Sequence, residues 1–261
     1  MNPRADYRHR SAFTFVELTI LLVLIFVLLA LTFASLARAK QSTRGSTCAN
    51  NMGQLMSAIH KYGADHNDYL PHPNWGLYNR FAGWLCNPPF QLPETNIQTG
   101  LLWPYTGSYA VYRCPLDPTN SATFAHRKQK YTSYIMNGAA CFFENQTTPQ
   151  TAVISSLRPD VILFWQADER NFRDFNDGAS RPDEGPTRLH SGGTTIGVID
   201  GSAAEMKHPE FNSEVLRRPS RLWWNQKRKD GPAKRQRYET IGVFASFVAG
   251  SHSLLRSKRP R

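Results

Sequence analysis

Cysteine is scarce in this chain of 261 residues: Cys48, Cys86, Cys114 and Cys141 are the full set, and no two lie close together. A zinc ribbon needs close Cys-x-x-Cys pairs, so that class is excluded. An even count in an exported protein permits one or two disulfides, with the pairing left open. Also missing are a glycine-rich phosphate loop, a Ser/His/Asp nucleophile order and the spaced carboxylates of an EF-hand. These absences argue against an enzyme, and a non-catalytic chain is expected. The longest absence is of charge, for residues 18–37 contain no Asp, Glu, Lys or Arg.

What fills that gap is Leu, Val, Ile and Phe, with only Thr19, Thr32 and Ser35 polar. As a helix rising about 1.5 Å per residue, twenty residues span roughly 30 Å, the hydrocarbon thickness of a bilayer. Arg4, Arg8 and Arg10 precede the run, and Glu17 stands at its entrance. A secretory signal peptide has such a basic start, and Ser35-Leu36-Ala37 offers small residues for cleavage. However, the run is longer than the usual core of about 7–15 residues. A plain anchor accounts for the length but gives Glu17 no role, and a carboxylate at a membrane edge calls for a partner.

The helical pattern continues past the apolar run. Cys48, Met52, Leu55, Met56, Ile59 and Tyr62 fall on one stripe, opposite Asn50, Asn51, Gln54, Ser57 and Lys61. One helix is therefore expected from about Phe13 to about Asp65, weakened at Gly45 and ended before Pro71. Beyond it, short runs such as 161–165 and 194–199, bounded by Gly, Pro and Asp, predict a β-rich head. Asp200-Gly201 predicts a two-residue hairpin turn into 202–206.

Charge divides the chain further. The net +11 is concentrated in residues 212–261, with 13 basic and 3 acidic side chains, whereas residues 68–211 carry 11 basic and 14 acidic. A folded middle that is slightly acidic does not suit nucleic acid, and none is expected as a partner.

The junction Ser11-Ala12-Phe13-Thr14-Phe15-Val16-Glu17-Leu18 resembles the leader junction of type IV prepilins and type II secretion pseudopilins, usually Gly-Phe-Thr-Leu-Ile-Glu-Leu. The resemblance implies cleavage between Ala12 and Phe13 by a prepilin peptidase and N-methylation of Phe13. It also implies pairing of Glu17 with the Phe13 amine of a neighbouring subunit. Ala12 departs from the family's Gly, and the smallness of the change leaves cleavage expected, at a lower rate. Further stretches are similar to a pilin-like subgroup: Cys48-Ala49-Asn50-Asn51-Met52-Gly53-Gln54-Leu55, Tyr62 to Tyr69, Val111-Tyr112-Arg113-Cys114-Pro115, Ser133-Tyr134-Ile135-Met136-Asn137-Gly138, and His190 nine residues before Asp200-Gly201. They cover about residues 11–207 in family order.

What this resemblance implies is an α+β, pilin-like chain. A leader (1–12) precedes a transmembrane helix half (13–37) and an amphipathic stalk half (38–67), which packs on a small antiparallel β-rich head (68–211). A basic, flexible tail (212–261) follows. The implied function is a structural subunit of a type II secretion or type IV pilus-like envelope system. It would cross the inner membrane once, with the N-terminus cytoplasmic and the head periplasmic or extracellular. Its partners would be the peptidase/methylase, like subunits, the inner-membrane assembly machinery and lipid. A surface binding module that does not polymerise is the alternative.

Several candidate sites compete with plainer readings. Cys48 and Cys114 match the subgroup's two cysteines, which implies a disulfide; two buried thiols fit equally well. His190 and Asp200 read as a register marker for the hairpin, against a catalytic pair. No cofactor is expected, with calcium at Asp168, Asp174 and Asp177 as the exception to weigh. Residues 168–184 hold six carboxylates, but Arg170, Arg173 and Arg181 can neutralise them in a solvated loop. Asp65-His66-Asn67-Asp68 reads as a polar helix exit before a metal cluster. Basic runs near Trp223-Trp224 could touch anionic lipid, cell-wall polymer or nucleic acid, and a solvated extension is preferred.

Overall fold

The structure, a computed structural model, describes residues 14–75, 81–87, 94–141, 151–190 and 192–224, without the side chains of 33–44, 94 and 95. All of them belong to one compact unit, Met1–Gly231.

Helix α1 spans Phe15–Asp65 without a break. Thr14 starts it through a capping box: its Oγ1 accepts the Glu17 N–H at 3.3 Å, and Glu17 Oε2 accepts the Thr14 N–H at 2.9 Å. The helix runs through Gly45 and stops at Asp65, where Asn67 (φ 53°) and Asp68 (φ 65°) turn the chain left-handed. Phe15–Thr32 has a mean hydropathy of 2.8 and none of it is buried. The protein thus has an N-terminal helix long and apolar enough to cross a membrane, and that stretch is not the covered core helix of a globular domain. The second half behaves oppositely. Cys48, Met52, Leu55, Met56, Ile59 and Tyr62 are all buried, as the stripe predicts. Asn51, assigned to the polar face, is buried too, because its Nδ2 donates to Ala110 O and Arg113 O, both at 2.9 Å.

The head holds a five-stranded sheet in the order β3-β1-β2-β4-β5. The strands are β1 (Tyr134–Asn137), β2 (Ile162–Gln166), β3 (Ala179–Ser180), β4 (Gly193–Val198) and β5 (Ala203–Lys207). Three pairings are antiparallel, as expected, but β1 and β3 run parallel, so the sheet is mixed. The fold class is α+β. Short helices α2 (Trp103–Thr106) and α3 (Ala122–His126) lie before the sheet, and α4 (His208–Leu216) follows it.

Strands β1 to β4 are buried on both faces, whereas β5 is largely exposed. One face meets α1: Met52, Met56 and Ile59 share a core with Tyr134, Met136 and Phe164. A Cβ at Gly197 would stand 2.8 Å from Met56 Sδ and 2.9 Å from Met52 Sδ, so glycine there lets α1 approach β4 closely. The other face is closed by Phe211, Leu222 and Trp223, packed with Ile162, Trp165, Ile196 and Val198. This corrects the expected start of the tail at 212. Arg217, Arg218 and Arg221 made that stretch look like a solvated extension, yet Leu222 and Trp223 are fully buried. The arginines serve the packing, with Arg218 lying 3.8 Å from the Trp223 ring centre and Arg217 paired with Glu214 at 2.6 Å. Residues 225–261, with the basic runs 227–229 and 234–235, lie outside the described residues.

Candidate functional site

Ala12 and Phe13, the cleavage and methylation positions, lie outside the described residues; Glu17 lies within them, on the first turn of α1. Asp200 and Gly201 form the β4–β5 turn. Val198 accepts from Gly201 N–H and donates to Ser202 O, both at 2.9 Å, and Gly201 has φ 92°. The loop therefore has three residues, 199–201, where two were expected. The glycine supplies the left-handed position that closes such a loop with a bulge. The Ser202 hydroxyl, and then the Ser202 N–H that donates to Asp200 Oδ1 at 2.8 Å, hold its carboxyl below the usual range. His190 sits at the far end of β4, about 20 Å away at the rise of a six-residue strand, so the two do not form a pair.

His190 instead joins the two cysteines. Cys48 comes from the buried half of α1, Cys114 from the loop after the turn Tyr109–Tyr112, and His190 from the approach to β4. Their sulfur and nitrogen atoms lie within 4.8 Å of one another, and all three residues are buried. The Cys48 and Cys114 sulfurs are 2.8 Å apart and both cysteines are free thiols. Cys114 Sγ is 3.6 Å from His190 Nε2, which also lies 2.9 Å from Gln166 Oε1.

The surroundings bias the two thiols in opposite directions. The Cys48 S–H donates to Cys114, and the adjacent His190 and the Leu116 N–H (3.3 Å) add to this, so Cys114 is held below an ordinary thiol. Cys48, keeping the shared proton in a desolvated site, is raised. Tyr134 Oη lies against Cys48, buried and without a well-formed hydrogen bond, as is Gln166 Nε2. A chain of bonds holds the Cys114 loop in place. Cys114 N–H donates to Ser133 Oγ (3.1 Å), and Ser133 Oγ–H donates to Asp117 Oδ2 (2.7 Å). Asp117 in turn pairs with Arg127 at 2.7 and 2.9 Å. The Arg127 guanidinium lies 3.5 Å from the Phe175 ring centre.

Segments far apart in sequence thus meet at one point: the Asn51 and Cys48 turn of α1, Cys114-Pro115, Ser133-Tyr134 and His190. Gln166, Asp117 and Arg127 belong to the same cluster and carried no sequence signal.

The other candidates are dispersed. Asp168 pairs with Arg170 at 2.7 Å, while Asp174 and Asp177 are buried. Asp174 is pushed up to about 8 by burial and by the nearby Glu184 and Asp168. Among the described residues, the calcium candidates do not gather into a metal-sized cluster; Cys48, Cys114 and His190 are the group that does. Cys86 and Cys141 are buried free thiols raised by desolvation, Cys86 to about 12. The stretch 65–68 is a helix exit: Asp65 accepts from Tyr105 Oη (2.8 Å) and Asp68 from Ser155 N–H (3.0 Å). No protein-family model, curated protein or solved structure matches this chain.

Proposed function

We infer that the protein is a pilin-like structural subunit of an envelope filament or secretion system. It is made as a precursor, cut between Ala12 and Phe13 and N-methylated at Phe13, and it stays anchored by its N-terminal helix. The observation that carries this reading is the division of α1: one helix, apolar and bare over Phe15–Thr32, then buried in the head from Cys48 onward. A bare apolar rod needs lipid or other rods around it, and the rigid link makes the head follow any packing of the rods. In the assembled state the apolar halves of like subunits pack together in the membrane. Glu17 of each then faces the Phe13 amine of a neighbour, two charges that stabilise each other where each alone is costly. The N-terminus faces the cytoplasm and the head faces the periplasm or the exterior.

Mass spectrometry of the N-terminus of the mature protein tests this. A chain beginning at methylated Phe13 agrees with the reading. A chain beginning at Arg38 shows a secreted head and contradicts it. An intact Met1 shows a plain anchor and favours the non-polymerising surface module.

A further inference from the structure

The three-residue cluster beneath the stalk has the composition of a thiophilic metal centre. We propose that Cys48, Cys114 and His190 bind one zinc ion inside the head, tying α1 to the Cys114 loop and to the approach of β4. Two thiolates and an imidazole are ligands zinc prefers, and their wide sequence separation suits a site made by the fold.

Three observations carry this beyond simple proximity. The first is spacing. Ligand atoms on one tetrahedral zinc, with bonds of about 2.3 Å to sulfur and 2.0 Å to nitrogen, stand roughly 3.6 Å apart for sulfur and nitrogen and 3.8 Å for two sulfurs. Cys114 Sγ and His190 Nε2 are already 3.6 Å apart, and the two sulfurs, at 2.8 Å, need to part by about 1 Å. Gln166 Oε1 lies 2.9 Å from His190 Nε2, so an oxygen ligand is at hand beside the imidazole.

The second observation concerns orphan donors. Tyr134 Oη and Gln166 Nε2 are buried at this site without well-formed hydrogen bonds, and Tyr134 Oη lies against Cys48 Sγ. A neutral thiol is a weak acceptor, whereas a metal-bound thiolate is a strong one, so binding strengthens the contact from Tyr134 to Cys48 Sγ. The Leu116 N–H already points at Cys114 Sγ, two residues along a Cys-Pro turn. Donors aimed at both sulfurs fit sulfurs that carry negative charge.

The third is charge. Two thiolates with Zn²⁺ make a neutral centre, while a monovalent copper ion leaves one uncompensated negative charge in a buried site. The buried cation Arg127 is already committed to Asp117. A divalent ion is therefore favoured. Binding converts two Cys S–H groups to zinc thiolates and releases their protons to solvent, with no change of oxidation state.

The full chain, purified in detergent with reductant and without chelator, is assayed for zinc by elemental analysis and titrated with cobalt as a spectroscopic probe. The expected result is one zinc per chain and thiolate-to-cobalt charge-transfer absorption. Cys48→Ser and Cys114→Ser each lower bound zinc at least tenfold, while Cys86→Ser keeps one equivalent. Should the serine variants fail to fold, the cobalt spectrum of the unaltered chain decides. No metal on a reduced, folded chain overturns the proposal. So does zinc binding that survives both substitutions, or recovery of Cys48 and Cys114 as a disulfide-linked peptide pair from native material.

Discussion

Glu17 is tied to Thr14 at the start of its own helix: Glu17 Oε2 accepts both the Thr14 N–H at 2.9 Å and the Thr14 hydroxyl at 2.8 Å. The carboxylate is therefore held at the helix end before any neighbour arrives. Both bonds fall on one oxygen, Oε2. The cap and the proposed subunit pairing of Glu17 can be separated by substitution. Thr14→Ala removes the cap oxygen but keeps the charge, and it is expected to preserve subunit cross-linking in membranes. Glu17→Ala keeps the chain in the membrane and removes the cross-linked ladder. Equal loss in both variants means that the cap, and not the charge, is what assembly requires.

Asp117 and Arg127 form a fully buried bidentate pair that also anchors Ser133 and, through it, Cys114. Asp117→Ala leaves the guanidinium buried without its counter-ion. A loss of about 3–5 kcal/mol of stability is expected, read as a lower unfolding midpoint in denaturant. A loss under about 1 kcal/mol, the range of an exposed pair, contradicts the burial.

Asp174 gives the head a pH dependence. Its Oδ2 is buried without a hydrogen-bond partner, and burial with Glu184 and Asp168 nearby pushes its carboxyl up to about 8. The folded chain keeps this proton, whereas the unfolded chain releases it near pH 4. Its contribution to stability is thus fully present below about pH 4 and is lost as pH climbs to about 8. Asp174→Asn removes this loss, so the gain in melting temperature over the unaltered chain should grow between pH 5 and pH 8. A gain that is constant with pH contradicts the assignment. Calcium that stabilises the unaltered chain at pH 8, but not the variant, revives the cation reading of this loop.

Trp223 belongs to the core. It is fully buried against Arg218, with its Nε1–H donating to Val215 O at 2.8 Å. Trp223→Ala is expected to cost about 3–5 kcal/mol, and ending the chain at residue 211 should prevent the head from folding. A head that folds without residues 212–224 contradicts this packing.

The parts legible in the sequence are those with strong periodicity. The stripe from Cys48 to Tyr62 gave the buried face of α1, and the uncharged run gave its bare half. Runs bounded by Gly and Pro located β2 and β4 within a residue. Strand β3 escaped notice because it is two residues long, and its parallel pairing with β1 joins segments separated by β2. The packing of Phe211, Leu222 and Trp223 was hidden by the arginines among them, since charge counts do not show that a long side chain can lie flat on a tryptophan. The resemblance implied that Cys48 and Cys114 meet across 66 positions, but no local spacing places His190, 76 positions beyond Cys114, beside them.

The proposed function requires the bare helix to remain in lipid after the proposed cleavage. Alkaline carbonate extraction of membranes from cells producing the full chain, followed by flotation of the pellet with lipid, measures this directly. The mature chain is expected to stay in the membrane fraction with residues 13–37 attached. A mature head recovered in the soluble fraction without that segment contradicts it.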